Sequence, residues 1–151
     1  MFEDLVNEFV LEHKESIYTS LDFGCGEGEV LAIILERNDI KCDRYDLFYF
    51  PNKVYKDKTY ELILSTEVIE HLNNPIEILK ELISHIKKDG FLVLMTAFRP
   101  LDIQEFLTWW YIRDITHIGF FTIKTFEYLA KELNLEIIKH NDKNTIMFKI
   151  L

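Results

Sequence analysis

Apolar and polar residues form alternating blocks along the chain, and these blocks predict strands and helices in turn. Short apolar blocks of strand length cover residues 17–23, 40–47, 61–66 and 91–96. Longer blocks with apolar residues at helical spacing cover residues 29–37, 75–88, 100–111 and 122–133. Two last apolar blocks, 136–139 and 145–150, flank a polar turn and predict an antiparallel pair of strands.

This order of elements predicts an α/β fold arranged as a three-layer sandwich, in which helices cover both faces of one sheet. The block at 91–96 is apolar on both faces, which is expected at the centre of a parallel sheet. In open parallel sheets, ligands bind outside the carboxyl ends of the strands. The residues that follow each predicted strand are therefore the first candidates for function.

The segment after the first predicted strand reads Ser-Leu-Asp-Phe-Gly-Cys-Gly-Glu-Gly and leads into an apolar helix. A strand that turns through glycines into a helix is suited to a nucleotide-like ligand. Gly24, Gly26 and Gly28 have the spacing G-x-G-x-G, which differs from the G-x-G-x-x-G of nucleotide-redox proteins. Asp22 and Glu27 add negative charge around the turn, which favours a ligand that carries a cation over a diphosphate.

Asp46 ends the second predicted strand, twenty residues after Gly26. This is the offset at which an acid accepts hydrogen bonds from ribose hydroxyls. Asp43 is a rival, but its odd offset from Asp46 places it on the opposite face of the strand. The alternative for Asp46 is an ordinary turn residue at a strand end.

These motifs, together with residues 60–63, 67–71 and 90–95, resemble the class I S-adenosylmethionine-dependent methyltransferases. The resemblance is strongest to small-molecule members grouped with the quinone-biosynthesis methyltransferases. It implies a Rossmann-like, mostly parallel sheet with an antiparallel C-terminal strand. It also implies S-adenosylmethionine as the cofactor and methyl transfer to a small-molecule acceptor.

The resemblance implies a set of cofactor-binding residues that all follow predicted strands: Asp22, Gly24, Cys25, Gly26, Gly28, Asp46, Leu47, Ser65, Thr66 and Glu67. One departure from the family pattern concerns the interval between Asp46 and Tyr60, which is short. The third strand and its helix are therefore expected to be reduced or absent. No acidic residue in this interval is assigned to the adenine.

The segment Glu67 to His71 resembles the family's signature after the middle strand, with an acid and a histidine on one helix face. His71 is a candidate for chemistry, and a hydrogen bond that orders a loop is its alternative role. Glu67, Glu70 and His71 also resemble a metal-ligand cluster. Without a second histidine at helical spacing this signal is weak, and no metal is expected.

An aromatic segment, residues 109–121, comes after the predicted strand at 91–96, at the edge where an acceptor would enter. Its Asp-x-Thr-His-x-x-Phe-Phe pattern resembles a loop in the small-molecule members of the same family. His117 is a candidate base there, with a hydrogen bond to a backbone carbonyl as the alternative. Aromatic walls suit a flat acceptor and a sulfonium. The candidates for binding the acceptor, with a core role as the alternative, are Trp109, Trp110 and Tyr111.

Composition narrows the class of protein. The 151 residues are expected to form a single domain, 1–151, and the formal net charge of −9 disfavours nucleic acid and anionic membrane surfaces as partners. No apolar run has the length of a membrane span, two cysteines do not form a disulfide framework, and the acidic N-terminus does not resemble a signal peptide. A cytoplasmic location is expected. A non-catalytic binding domain of this fold and a nucleotide-redox protein remain as alternatives.

Overall fold

A computed structural model describes all residues, 1–151, and contains one six-stranded sheet. The strands lie in the order β2-β1-β3-β4-β6-β5. Strands β1 to β4 pair in parallel, and β6 pairs antiparallel with both β4 and β5. The strands are β1 (Thr19–Phe23), β2 (Lys41–Tyr45), β3 (Tyr60–Thr66), β4 (Ile86–Met95), β5 (Leu135–His140) and β6 (Thr145–Ile150).

Five α-helices flank the sheet. Their bounds are α1 (Phe2–Leu5), α2 (Val30–Arg37), α3 (Pro75–Ser84), α4 (Ile103–Thr108) and α5 (Ile123–Glu132). Helix α1 continues as a π-helical segment over Val6–Val10 and a 3-10 helix over Leu11–Ser16. Short 3-10 helices also cover Ile69–His71 and Trp110–Arg113.

The alternation of side chains along the central strands creates two separate cores. Leu62 and Leu64 of β3 pack with α2 and the N-terminal helical segment, whereas Ile63 packs with α3 and α5 on the other face. Successive residues of a strand point to opposite faces of the sheet, so a strand that is apolar throughout needs cover on both faces. The predicted three-layer, Rossmann-like α/β sandwich is confirmed.

Two helix starts follow from local chemistry. The side chain of Asn74 accepts a hydrogen bond from the backbone N–H of Glu77, and Pro75 occupies the first turn of α3. Thr122 caps α5 through a reciprocal bond with Thr125. Both starts are those that the sequence predicts.

Other predicted bounds are wrong in an informative way. The helix expected over 75–88 ends at Ser84, and strand β4 already begins at Ile86. The pairing of β3 with β4 shifts register between Tyr60 and Leu62, so β4 contains a bulge before Phe91. The helix expected over 100–111 is shorter, spans Ile103–Thr108, and leads into a separate 3-10 turn.

The region between β2 and β3 contains no helix or strand, and its only pairing is an isolated bridge between Asp46 and Phe50. This confirms the expected reduction of the third-strand region. None of the helices combines the length and the apolar character required to cross a membrane.

We predict that Gly90→Ala destabilises the fold at the β4 bulge. A Cβ atom on Gly90 would lie 2.8 Å from the carbonyl oxygen of Lys87 and 2.9 Å from that of Glu61. Because backbone atoms cannot rotate away, we expect a loss of about 1–3 kcal/mol in the free energy of unfolding, measured by chemical denaturation. Gly28→Ala is the control, since its Cβ would meet nothing closer than a Val30 methyl group at 4.0 Å. Equal stability of the two variants would contradict this account.

Candidate functional site

The carboxyl ends of β1, β3 and β4 meet at one edge of the sheet because these strands pair in parallel and in register. Asp22 of β1 lies opposite Leu64 of β3, and Thr66 of β3 lies opposite Met95 of β4. The segments that follow the three strands are therefore neighbours. Most of the site residues predicted from the sequence lie in these segments or in the loop after β2, whose pairing with β1 is also parallel.

The glycine turn after β1 needs glycine at two of its three positions. Gly24 and Gly26 have φ angles of +81° and +68°, in the left-handed region that favours glycine. A Cβ atom on Gly24 would lie 2.2 Å from a methyl group of Val68, so this turn packs directly on the segment after β3. The backbone N–H groups of Gly24 and Cys25 both donate to the carbonyl oxygen of Tyr45, which ties the turn to β2.

Asp22 is buried beside this turn, and its Oδ1 atom has no hydrogen-bond partner. Burial raises the pKa of its carboxyl group to about 7; the positive charge of Arg44 opposes this rise and the negative charge of Asp46 adds to it. An unpartnered buried carboxyl oxygen is costly and rare in folded proteins. The position is therefore suited to a bound hydrogen-bond donor or cation.

A cavity of about 180 Å³ opens beside Asp22 and is lined also by Cys25, Gly28 and Thr66. This volume is below the roughly 300–1,000 Å³ of complete small-molecule pockets. It accommodates one polar end of a ligand, and the remainder would lie along the open edge of the sheet. A larger cavity of about 430 Å³ lies at the opposite edge, among Lys41, Lys58 and Lys87, away from the predicted site residues.

Asp46 fastens the glycine turn to the loop after β2. One carboxylate oxygen accepts from the N–H of Gly26 at 3.0 Å, and the other accepts from the N–H groups of Phe48 and Tyr49 at 2.9 and 3.1 Å. Burial opposes ionisation, but these donors together lower the pKa of Asp46 below its usual value. Leu47, predicted beside it, is exposed.

Solvent exposure increases from the end of β3 into the segment that follows it. Ser65 and Thr66 are buried at the strand end, whereas Glu67 is exposed as a residue and has a left-handed φ of 55°. Few non-glycine residues adopt this backbone conformation, and those that do cluster at functional sites. The turn directs the Glu67 carboxyl group back towards Tyr111.

The hydroxyl group of Tyr111 contacts two carboxyl groups and the hydroxyl group of Thr96. Its hydroxyl oxygen lies 2.7 Å from Glu67 Oε2, in closer contact with Glu70 Oε1, and 3.2 Å from Thr96 Oγ1. The Tyr111 side chain carries a single hydroxyl hydrogen, so it donates to one carboxyl group at a time. Burial and the neighbouring Glu70 raise the pKa of Glu67 to about 7, although the bond with Tyr111 opposes the rise.

Two histidine rings, those of His71 and His117, pack edge to face beside this cluster. The Nδ1 atom of His71 lies 3.0 Å from the carbonyl oxygen of Thr116, and the Nδ1 atom of His117 lies 2.8 Å from that of Tyr111. The ring centroids are 4.8 Å apart. Both histidines thus make the backbone contacts that the sequence analysis gave as alternatives to a chemical role.

The three aromatic residues predicted to bind an acceptor lie in different environments. Trp110 is 66% exposed, Trp109 is half-buried and packs against Phe120, and Tyr111 is only 2% exposed. The loop that follows these residues is bound to the segment after β3, because the N–H groups of Ile118 and Gly119 donate to the carbonyl oxygen of Glu70. The two tryptophans are accessible to a ligand, whereas Tyr111 is buried and its hydroxyl group contacts Glu67, Glu70 and Thr96.

Sequence reasoning missed two features of this edge. Glu70 is fully buried, which its position in a polar-looking helix turn did not indicate. Arg44, whose positive charge opposes the rise in the pKa of Asp22, forms an ion pair with Glu29 at 2.7 Å. A charge at the end of β2 was visible in the sequence, but its partner across the turn was not.

We predict that stability falls as pH rises through the range in which Asp22 ionises. The pKa of Asp22 is 3.8 in the unfolded chain and about 7 in the folded protein, so the folded state holds a proton that the unfolded state has lost. Asp22 should reduce the free energy of unfolding by on the order of 3 kcal/mol between pH 5 and pH 8. Denaturation of Asp22→Asn should show a shallower fall than the native chain. Asp39→Asn, whose side chain is 92% exposed, is the control and should keep the native slope.

The sequence and the fold of this chain are similar to those of known proteins. The chain is 28% identical to the ubiquinone biosynthesis O-methyltransferase of Rickettsia typhi over 68% of this chain and 56% of that protein. The chain thus spans about half the length of the curated relatives it matches. The structure of the pyocyanin biosynthetic protein PhzM superposes with a TM-score of 0.74 at 12% identity, over 99% of this chain and 54% of that one.

The magnesium protoporphyrin IX methyltransferase of Synechocystis PCC 6803, solved with bound S-adenosylhomocysteine, superposes with a TM-score of 0.68 at 11% identity. That comparison covers 99% of this chain and 82% of the other, and at such identity it establishes the shared fold. The model of the family described as a methyltransferase domain matches residues 2–140. The chain therefore belongs to the methyltransferase-domain family.

Proposed function

We propose that this protein transfers a methyl group from S-adenosylmethionine to a small-molecule acceptor. The observation that carries the proposal is the unpartnered Oδ1 atom of Asp22, buried against a glycine turn with two left-handed residues. A cofactor with an ammonium group supplies both the missing donor and a positive charge at this position. Membership of the methyltransferase-domain family supports the same function.

The predicted cofactor residues offer distinct contacts along the edge of the sheet. Asp22 and the turn at Gly24, Cys25, Gly26 and Gly28 would hold the amino-acid end. Asp46 has about four acceptor positions, of which three are occupied by backbone N–H groups, so one remains for a ribose hydroxyl. The residues expected farther along the cofactor are Leu47, Ser65, Thr66 and Glu67.

The acceptor side of the site is formed by the aromatic segment. Trp109 and Trp110 present flat apolar surfaces beside the segment after β3, which suits an aromatic small molecule. The net charge of −9 disfavours nucleic acid as the acceptor. The relatives named as O-methyltransferases support a hydroxyl group as the methylated position.

Methyl transfer mainly requires the protein to align the acceptor with the methyl group of the cofactor. S-adenosylmethionine, when bound, supplies a methyl group on an activated sulfonium. The protein contributes orientation, which alone lowers an activation barrier by on the order of 7–11 kcal/mol. His117 and His71 are our candidates for taking the proton from the acceptor, because the Nδ1 contacts leave each Nε2 atom free to accept.

We propose further that residues 1–151 act as one domain and that the protein works in the cytoplasm. The continuous six-stranded sheet supports the single domain, and the two free cysteines fit a reducing compartment such as the cytoplasm. The protein would act on its small-molecule substrate without nucleic acid.

The cofactor proposal is tested by calorimetry with S-adenosylhomocysteine. We expect saturable binding, stronger than any binding of NAD, and at least a tenfold loss of affinity in Asp22→Asn because a buried charged hydrogen bond is removed. Asp39→Asn should bind as tightly as the native chain. Absence of binding at millimolar ligand would overturn the proposal, and preference for NAD would favour a redox protein instead.

The role of His117 is tested by turnover of labelled S-adenosylmethionine with a panel of aromatic small molecules that carry a hydroxyl group. We expect His117→Ala to keep its affinity for S-adenosylhomocysteine but to lose at least tenfold in turnover, since a positioned base contributes about 10²–10⁴-fold. Full turnover in this variant would exclude His117 as the base. No turnover by the native chain with any acceptor, despite cofactor binding, would indicate a non-catalytic binding domain.

A further inference from the structure

Three side chains of the types that ligate metals converge beside the proposed acceptor site. One carboxylate oxygen of Glu70 and one ring nitrogen each of His71 and His117 all lie within 4.8 Å of one another. The residues come from two separate segments, the turn after β3 and the loop before α5. The backbone bonds from Ile118 and Gly119 to the carbonyl oxygen of Glu70 hold these segments together.

The hydrogen bonds of the two histidines prepare them as ligands. Each Nδ1 atom contacts a backbone carbonyl oxygen, which only accepts, so the ring proton resides on Nδ1 in the neutral tautomer. The lone pair is then on Nε2, free of any backbone contact. Metal-bound histidines in proteins have this arrangement, because the second nitrogen donates to a carbonyl or carboxylate that fixes the ring.

Glu70 supplies an independent sign of a missing partner. Its residue is fully buried, one carboxyl oxygen accepts from Tyr111, and the other, Oε2, has no hydrogen-bond partner. Burial of a carboxyl oxygen without a partner is costly, and a bound cation satisfies it. Asp114 adds negative charge nearby, with its Oδ2 atom 3.6 Å from Nε2 of His117.

We propose that Glu70, His71 and His117 bind a divalent transition-metal ion. Two imidazoles with one carboxylate form a donor set for Zn²⁺, Mn²⁺ or Fe²⁺, whereas Mg²⁺ and Ca²⁺ prefer oxygen donors throughout. Three protein ligands leave coordination positions open for a further molecule.

The position of the ion would deepen the proposed function, on which this part of the inference rests. Val68, between Glu67 and the metal ligands, packs directly on Gly24 of the cofactor turn. An acceptor hydroxyl group bound to the ion at this place would lose its proton more readily, because a divalent cation stabilises the resulting oxyanion. With the ion bound, the histidines would act as its ligands in place of the base role proposed above, and the hydroxyl proton would leave to solvent.

The test is a titration of the tag-free, chelator-treated chain with Mn²⁺, in which the electron paramagnetic resonance signal of free Mn²⁺ reports binding. We expect one ion per chain and displacement by Zn²⁺. Glu70→Gln, His71→Gln and His117→Gln should each weaken binding at least tenfold. His71 is exposed, so its variant is the least disruptive to folding.

His85→Gln is the matched control. His85 also places Nδ1 3.0 Å from a backbone carbonyl oxygen, that of Lys58, but it precedes β4 at the opposite edge of the sheet. This variant should bind Mn²⁺ like the native chain. A lack of stoichiometric binding, or binding that all three ligand variants retain, would overturn the metal site.

Affinity for S-adenosylhomocysteine, measured on the same samples, separates the two proposals. If the native chain binds S-adenosylhomocysteine but no Mn²⁺, only the proposal of the metal site is overturned. If the chain binds Mn²⁺ at these ligands but does not bind S-adenosylhomocysteine, the proposed function is overturned and the proposal of the metal site is retained. The ligand variants should keep the native affinity for S-adenosylhomocysteine, which also verifies that they are folded.

Discussion

The parallel pairing of β3 with β1 on one side and β4 on the other is the constraint on which the site depends. Strand β3 is buried along almost its whole length and contributes side chains to both cores. Its register aligns the ends of three strands, so the glycine turn, the Glu67–His71 segment and Thr96 reach the same edge. A slip of one residue would exchange the two faces of the strand and separate these groups.

Negative charge concentrated at this edge is the second theme of the structure. Asp22 and Glu70 are buried, the carboxyl group of Glu67 is hydrogen-bonded to Tyr111, and the pKa values of Asp22 and Glu67 are raised to about 7. Burial of such groups opposes folding, so the two apolar cores must offset its cost. Such an arrangement favours cation binding, because the carboxyl groups are already desolvated and positioned when a ligand arrives.

The sequence predicts the parts of the molecule that local chemistry determines. The turn at Gly24 and Gly26 was expected from the glycine spacing, and the helix starts were expected from Pro75 and from the capping side chain of Thr122. The reduced region after Asp46 was visible as a short interval. These features depend on neighbours in the chain, so a pattern of residue types describes them well.

Other features depend on contacts between distant segments and could not be predicted. The early start of β4 at Ile86 follows from pairing with Tyr60 across the sheet, which overrides a helical pattern. Three consecutive aromatic residues look equivalent in sequence, yet only Tyr111 turns inward, because Glu67, Glu70 and Thr96 provide partners for its hydroxyl group. The second histidine of the proposed metal site is far from the first in the chain, so helical spacing did not indicate it.

The central claim is that the edge formed by the ends of β1 and β3 binds S-adenosylmethionine. Two-dimensional ¹⁵N nuclear magnetic resonance of the labelled chain, titrated with S-adenosylhomocysteine, tests this most directly. The account predicts the largest shifts at the amides of Gly24, Gly26 and Glu67 and little change at Lys41 and Lys87 on the opposite edge. Shifts centred on those lysines, or no shifts at saturating ligand, would contradict it.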